Sequence, residues 1–196
     1  ESQLPWFLSA AAQIQKQVPD VRFAIAAFKE SQAEFARNLI QPLSLDIEVY
    51  TGRTPELMQA ATCCMACSGS VSLELMYHGK PTVILYHMSK LMHRYARLMV
   101  NVRYITLVNL IASSKPFEPL KEAWRPDDPD CEDIPMPEYP TCTDKSDEVA
   151  QHIVDWLTDE QQYQETVSQL AALSEMYGHP GASQRAATFI LESLTG

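Results

Sequence analysis

No apolar run in these 196 residues approaches the length of about 18 that a membrane-spanning helix needs. The start, Glu1-Ser2-Gln3-Leu4, lacks the positive charge and apolar stretch of a signal peptide and has no initiator methionine, so the chain reads as a piece of something longer. Positive charge is short overall. A formal net charge of −10 argues against nucleic acid as a partner, because phosphate backbones need a basic face; a local basic patch for a small anion stays open. Cysteine is sparse too. Cys63, Cys64 and Cys67 share one apolar run and read as small buried hydrophobes. Cys64 and Cys67 form a C-x-x-C pair, but no second ligand pair stands at zinc spacing, and the pair lies along a strand-like run where a redox motif would open a helix. Cys131 and Cys142 flank a proline-rich stretch and could approach each other; a reduced pair is the preferred reading, and whether they pair stays open. Neither a metal nor a cofactor is expected, and no Ser/His/Asp spacing suggests a nucleophile.

What is present suits a globular domain: 46% hydrophobic and 20% charged residues. A chain of this length buries roughly 70% of its unfolded surface and needs no staple. Helical spacing from Leu4 to Val18, stopped by Pro19, precedes a short apolar strand at Val21–Ala26. A helix at Gln32–Leu39, a strand at Leu45–Tyr50, and a helix opened by Thr54 as cap and Pro55 at its first position follow. Then come a buried strand at Thr62–Cys67, a helix at Ser70–Tyr77 stopped by Gly79, and a strand at Pro81–Tyr86. Leu91–Asn101 reads as a helix and Arg103–Leu110 as strand or extended chain. Lys115–Thr143 holds more than half of the thirteen prolines and an acidic run, and is expected to be a surface insertion loop. Residues 146–196 read as a C-terminal helical segment. Strands apolar on both faces alternating with helices predict an α/β fold: a Rossmann-like parallel sheet with helices on both faces. Ligands in such sheets bind outside the carboxyl ends of the strands.

One turn sits at such an end. In Ser68-Gly69-Ser70 a strand passes through glycine into a helix, whose first N–H groups lack internal partners and lie at the positive end of its dipole. Diphosphate would satisfy both, with Gly69 allowing close approach and Ser68 and Ser70 adding hydroxyls. Glu74, one turn on, could accept hydrogen bonds from the vicinal hydroxyls of a ribose. The same pattern also fits an ordinary helix start with Ser70 as cap and Glu74 as a solvated residue.

Ser68-Gly69-Ser70-Val71-Ser72-Leu73-Glu74, Gly79-Lys80-Pro81-Thr82-Val83, Tyr86-His87-Met88 and Leu107-Val108-Asn109-Leu110-Ile111-Ala112 together resemble the lipid-A-disaccharide synthase family, which reads S-G-T-x-x-L-E, P-M-V-V-x-Y-R/K-M and L-P-N-L-I/L-A-G. Gly181-Ala182-Ser183-Gln184-Arg185-Ala186-Ala187 resembles its G-A-S-x-R-A-A. The resemblance implies one half of a GT-B glycosyltransferase, the C-terminal half that holds UDP. It implies transfer of 2,3-diacylglucosamine from its UDP donor to 2,3-diacylglucosamine 1-phosphate (lipid X), making a β-1,6-linked disaccharide. Carried over, Ser68, Gly69 and Ser70 face the diphosphate and Glu74 the ribose. Asn109 lies near the donor phosphates or sugar, Tyr86 and Met88 belong to the donor site, and Gly52 and Arg53 lie before the helix that walls the uracil. The UDP-sugar is a substrate and no metal is implied. A cytoplasmic place with peripheral contact to the inner membrane fits this chemistry, and oligomerisation stays open.

Departures accompany the match. The family's G-S-R turn, and the N-terminal half expected to hold the acceptor site and the base, have no counterpart in these residues, so no catalytic residue is assigned and the chain alone is expected to be inactive. Val108 replaces the proline of L-P-N, Ser113 its glycine, and His87 the usual arginine or lysine. The family's V-P-E matches either Met136-Pro137-Glu138 or the surroundings of Pro116, with an insertion of about twenty residues in both cases. Lys90, His93, Arg94, Arg97 and Arg103 form a basic patch beside apolar Leu91, Tyr95, Leu98 and Met99. That helix suits either anionic lipid headgroups or ordinary core packing. Two alternatives to the main reading remain: another UDP-sugar enzyme of the 2-epimerase or peptidoglycan-glycosyltransferase kind, and a non-catalytic domain derived from the same fold.

Overall fold

A computed structural model describes residues 2–67, 69–99, 102–118, 134–177 and 187–191. Helix α1 (Leu4–Gln17) carries Pro5 in its first turn, where a missing N–H costs nothing, and buries Leu8, Ala11 and Ile14 on one face. Strand β1 (Phe23–Ala27) leads to α2 (Glu30–Ile40), whose Gln32 side chain accepts the backbone N–H groups of Phe28 and Lys29 at 3.1 and 3.2 Å. Strand β2 (Ile47–Thr51) and α3 (Thr54–Ala60) follow; Thr54 is the first helical residue and Arg53 the cap, one position before the expected start. Next are β3 (Cys64–Ala66), α4 (Val71–Tyr77), β4 (Thr82–His87), α5 (Lys90–Met99), α6 (Leu107–Ala112), β5 (Glu138–Thr141), α7 (Ser146–Thr158) and α8 (Glu160–Tyr177).

All strand pairings are parallel. β1 pairs with β2, Phe23 opposite Ile47, and the second sheet runs β3-β4-β5, with Cys64 opposite Thr82 and Ile84 opposite Glu138. Parallel strands need cover on both faces, and β4 has it: Thr82 to Leu85 are all buried. Val83 and Leu85 pack into a core with Ile14 of α1 and Val149, Ile153 and Trp156 of α7. Ile84 faces the other way, onto Met58, Leu75, Met76, Val108 and Leu170 from α3, α4, α6 and α8. The expected Rossmann-like α/β arrangement with helices on both faces is therefore present. Gly79, at φ +60, closes α4: its N–H reaches Met76 O at 2.9 Å while Lys80 N–H reaches Leu75 O at 2.9 Å.

Two expectations need correcting. Arg103–Leu110 is not a strand, because Leu107–Ala112 form α6. The β-branched Ile105, Thr106 and Val108 favour extended chain locally. What overrides them is the Glu138 carboxylate, which accepts Ile105 N–H at 2.6 Å, Thr106 N–H at 3.1 Å and the Thr106 hydroxyl at 2.6 Å. A hydrogen-bond acceptor thus stands at the start of α6, where N–H groups lack helical partners. Likewise, the stretch read as a loop over 115–143 ends in strand β5. Pro137 O and Thr141 O accept N–H groups of Ile84 and Met88 at 2.7 and 2.8 Å. By alternation Pro140 then points its donor-less nitrogen to the outer edge, where proline is tolerated. Residues 119–133 of that stretch, and the Gly181–Ala186 part of the C-terminal block, lie outside the described residues.

Candidate functional site

Ser68 lies outside the described residues, so the turn after β3 is defined from Gly69 onward. Gly69 has φ +135, a region side-chain-bearing residues rarely enter, and a Cβ built there would meet no atom within 4 Å. Glycine is needed for conformation, and the space beside it is open. Ser72 Oγ donates to Gly69 O at 2.8 Å and closes the turn. Ser70 makes no side-chain cap to α4, so its exposed hydroxyl is not committed as the sequence alternative had it. Burial of Ser72, Leu75 and Met76 fixes the roll of α4, which turns Glu74 to solvent one turn from Ser70 on the same side.

Gly52 follows β2. Its N–H donates to Ala27 O at 3.0 Å, carrying the β1–β2 ladder past the strand end. Thr51 Oγ1 donates to Glu30 at 2.6 Å, and Arg37 to the same carboxylate at 2.6 Å. Arg37 first and Thr51 second hold the Glu30 carboxyl below its ordinary range. Arg53 is exposed and makes a long 3.5 Å contact with Glu56, too weak to withhold its guanidinium from an anion. Phe28, which follows Ala27 and is 79% exposed, stands near this turn and was not singled out in the sequence; an apolar residue ending an apolar strand carries no distinguishing signal.

Tyr86 and Met88 lie at the carboxyl end of β4. By strand alternation Tyr86, which is 41% exposed, shares the Ile84 face with α4 and α6. His87 turns the other way, its ring 4.7 Å from Trp6. Backbone positions here are held on both sides: Met88 N–H by Thr141 O at 2.8 Å, and His87 by Gln3, whose amide donates to His87 O at 2.8 Å and accepts His87 N–H at 2.6 Å. Gln3 acts as an extra strand rung, and nothing in its local sequence announces that.

Asn109 is the residue expected near the donor phosphates or sugar. It is fully buried, and its amide is spent inside the protein: Nδ2 donates to Met136 O at 2.6 Å and to Glu138 at 3.0 Å, while Oδ1 accepts Met136 N–H at 3.2 Å. It ties α6 to the β5 segment beside α4. Of the two matches considered for V-P-E, Met136-Pro137-Glu138 is the stretch tied to Asn109. Burial raises the Glu138 carboxyl above its ordinary range, against the pull of four donated hydrogen bonds.

The C-x-x-C pair does not converge. Cys64 packs with Ala66 on the α4 face, and alternation sends Cys67 to the opposite one. Burial pushes Cys63 to about 12 and Cys64 to about 11, with Cys67 also raised, so these thiols are inert. Among the described residues no group of His, Cys, Asp or Glu could hold a metal ion. Three turns, each at the carboxyl end of a parallel strand, thus present Gly52-Arg53, Gly69-Ser70 with Glu74, and Tyr86–Met88. Their chemistry is that of anion donors, a hydroxyl-accepting carboxylate and a partly exposed aromatic ring.

A family model described as lipid-A-disaccharide synthetase matches residues 1–132. The chain is 26% identical over 190 residues to a lipid-A-disaccharide synthase of Geobacter sulfurreducens, covering 97% of this chain and 44% of that protein. It is 29% identical over 188 residues to the enzyme of that name from Chromohalobacter salexigens, covering 95% and 44%. Against that from Haemophilus influenzae it is 33% identical over 110 residues, covering 55% and 28%. The chain therefore spans less than half the length of these curated relatives.

Proposed function

The chain belongs to the lipid-A-disaccharide synthetase family, and on that premise we propose that it is the donor-binding half of a lipid-A-disaccharide synthase. In this reading it holds the UDP part of UDP-2,3-diacylglucosamine while the sugar passes to lipid X, releasing UDP. The observation that carries it is the pair Ser70 and Glu74, both exposed, one turn apart on α4 directly behind the open Gly69 turn. Ser68, Gly69 and Ser70 receive the diphosphate, Glu74 the ribose hydroxyls, and Gly52-Arg53 border the base. Tyr86 and Met88 lie on the sugar side. Oriented donors at the turn stabilise charge growing on the departing UDP, and no metal is required for that. A base from the remainder of the protein deprotonates the acceptor hydroxyl. The working place is the cytoplasmic face of the inner membrane, where a lipid acceptor is met.

Calorimetric titration of UDP tests the site. Binding that weakens about tenfold or more in Glu74→Ala, as loss of a charged acceptor of two hydrogen bonds predicts, supports the reading. Equal affinity in both proteins, or no binding to either, sinks it for this chain.

A further inference from the structure

Helix α5 leaves its apolar residues in water. Leu91 is 81% and Leu98 75% exposed, and Met92, Tyr95 and Met99 are exposed as well. At 3.6 residues per turn these five occupy roughly 120° of arc. Lys90 and Arg94 stand on a separate arc of the same helix, and half-buried His93 and Ala96 mark the side that meets the body of the protein. The apolar arc is thus turned outward, contrary to the core-packing alternative.

Charge along the chain is sorted in the same place. Between Glu74 and Glu118 there is no acidic residue, while Lys80, Lys90, Arg94, Arg97, Arg103 and Lys115 all fall there, in a chain of net charge −10. No salt bridge among the described residues involves Lys90 or Arg94. An amphipathic helix with cations flanking a wide outward apolar stripe has the form that lies in a membrane interface, apolar side in the acyl boundary and cations at the phosphates. An acidic partner protein would match the cations but leave the leucines wet. A neutral apolar partner would strand the cations.

We infer that α5 is a membrane-docking helix that seats Leu91, Tyr95 and Leu98 in an anionic phospholipid surface, with Lys90 and Arg94 on its headgroups. This deepens the proposed function by naming the element and lipid chemistry of the membrane contact. It is read without nucleotide, so it and the donor site fail independently.

Vesicle co-sedimentation of the whole chain tests it. Binding to phosphatidylglycerol/phosphatidylethanolamine vesicles should exceed binding to pure phosphatidylcholine about tenfold and fall as salt rises. Leu91→Ser with Leu98→Ser should weaken it about tenfold or more, and Lys90→Glu with Arg94→Glu should bring it to the phosphatidylcholine level. Unchanged circular dichroism and melting of both double variants, whose altered side chains are exposed, separate docking from misfolding. The inference is overturned if the chain binds neither vesicle, or if both double variants bind as the parent does. A dimer that the Leu91→Ser/Leu98→Ser variant dissociates would assign the face to a second copy. In the full-length gene product, a Leu91→Cys thiol closed to reagent without vesicles would assign it to the rest of the protein. Either result also overturns it.

Discussion

Asn109 Nδ2 donates to Glu138 Oε2 at 3.0 Å, and both side chains are buried. The pair joins α6 to the edge strand across 29 positions of chain and satisfies groups that would otherwise be orphaned. Asn109→Ala should cost about 2–4 kcal/mol, because Met136 N–H and O and one Glu138 oxygen lose a partner together. Chemical denaturation checks this; a loss below about 0.5 kcal/mol would show that water replaces the amide.

Glu138 also makes a pH prediction. Burial raises its folded-state pKa above the ordinary glutamate range. Its stabilising contribution is therefore fully present below the unfolded-state value and is lost as pH rises through the folded one. Glu138→Gln cannot titrate, so the melting-temperature lead of the wild type over this variant should narrow as pH rises above about 4. A lead that widens would contradict the assignment.

His152 should act in the opposite direction. Burial, the largest cause, lowers its pKa, against Asp155 and Glu148, and its ring contacts Tyr139 OH at 2.8 Å. Stability from a lowered histidine is present above the unfolded value and disappears as pH falls through the folded one. Below about pH 6.5 the wild type should lose ground to His152→Gln, as thermal melts at stepped pH would record.

Gly69→Ala should separate strain from crowding. There is room for a methyl group but not for its preferred backbone angles at φ +135, so about 1–3 kcal/mol is expected. UDP affinity should fall with it, since relaxing the turn moves the Ser70 hydroxyl. Retained affinity with lowered stability would place the ligand elsewhere.

Thiol labelling offers a last check. With Cys63 near 12 and Cys64 near 11, the native protein at about pH 8 holds almost no thiolate at either position. Mass spectrometry after iodoacetamide should find both unmodified until denaturant is added.

Much of the fold was legible because its signals are local. Pro5 and Pro19 bracket α1, Gly79 stops α4, and the run Val83-Ile84-Leu85 announces a strand covered on both faces. The Gly69 turn and Glu74 were legible for the same reason: strand, glycine and helix follow one another directly. The partners of Asn109 were not foreseen, α6 was read as extended, and β5 was hidden under prolines. Each of those three depends on Glu138 or on β4, whose partners stand far off in the chain.

The sequence by itself determined the alternation of strands and helices, the position of the glycine turn and the family, because periodicity, turn residues and motif spacing act within a few residues of one another. Tertiary structure alone decided that Asn109 points inward, that Gln3 completes the end of β4, and that the apolar side of α5 faces water. Those outcomes turn on which buried polar group finds a partner and which face finds cover. Such matches are made between distant segments only once the chain has closed on itself.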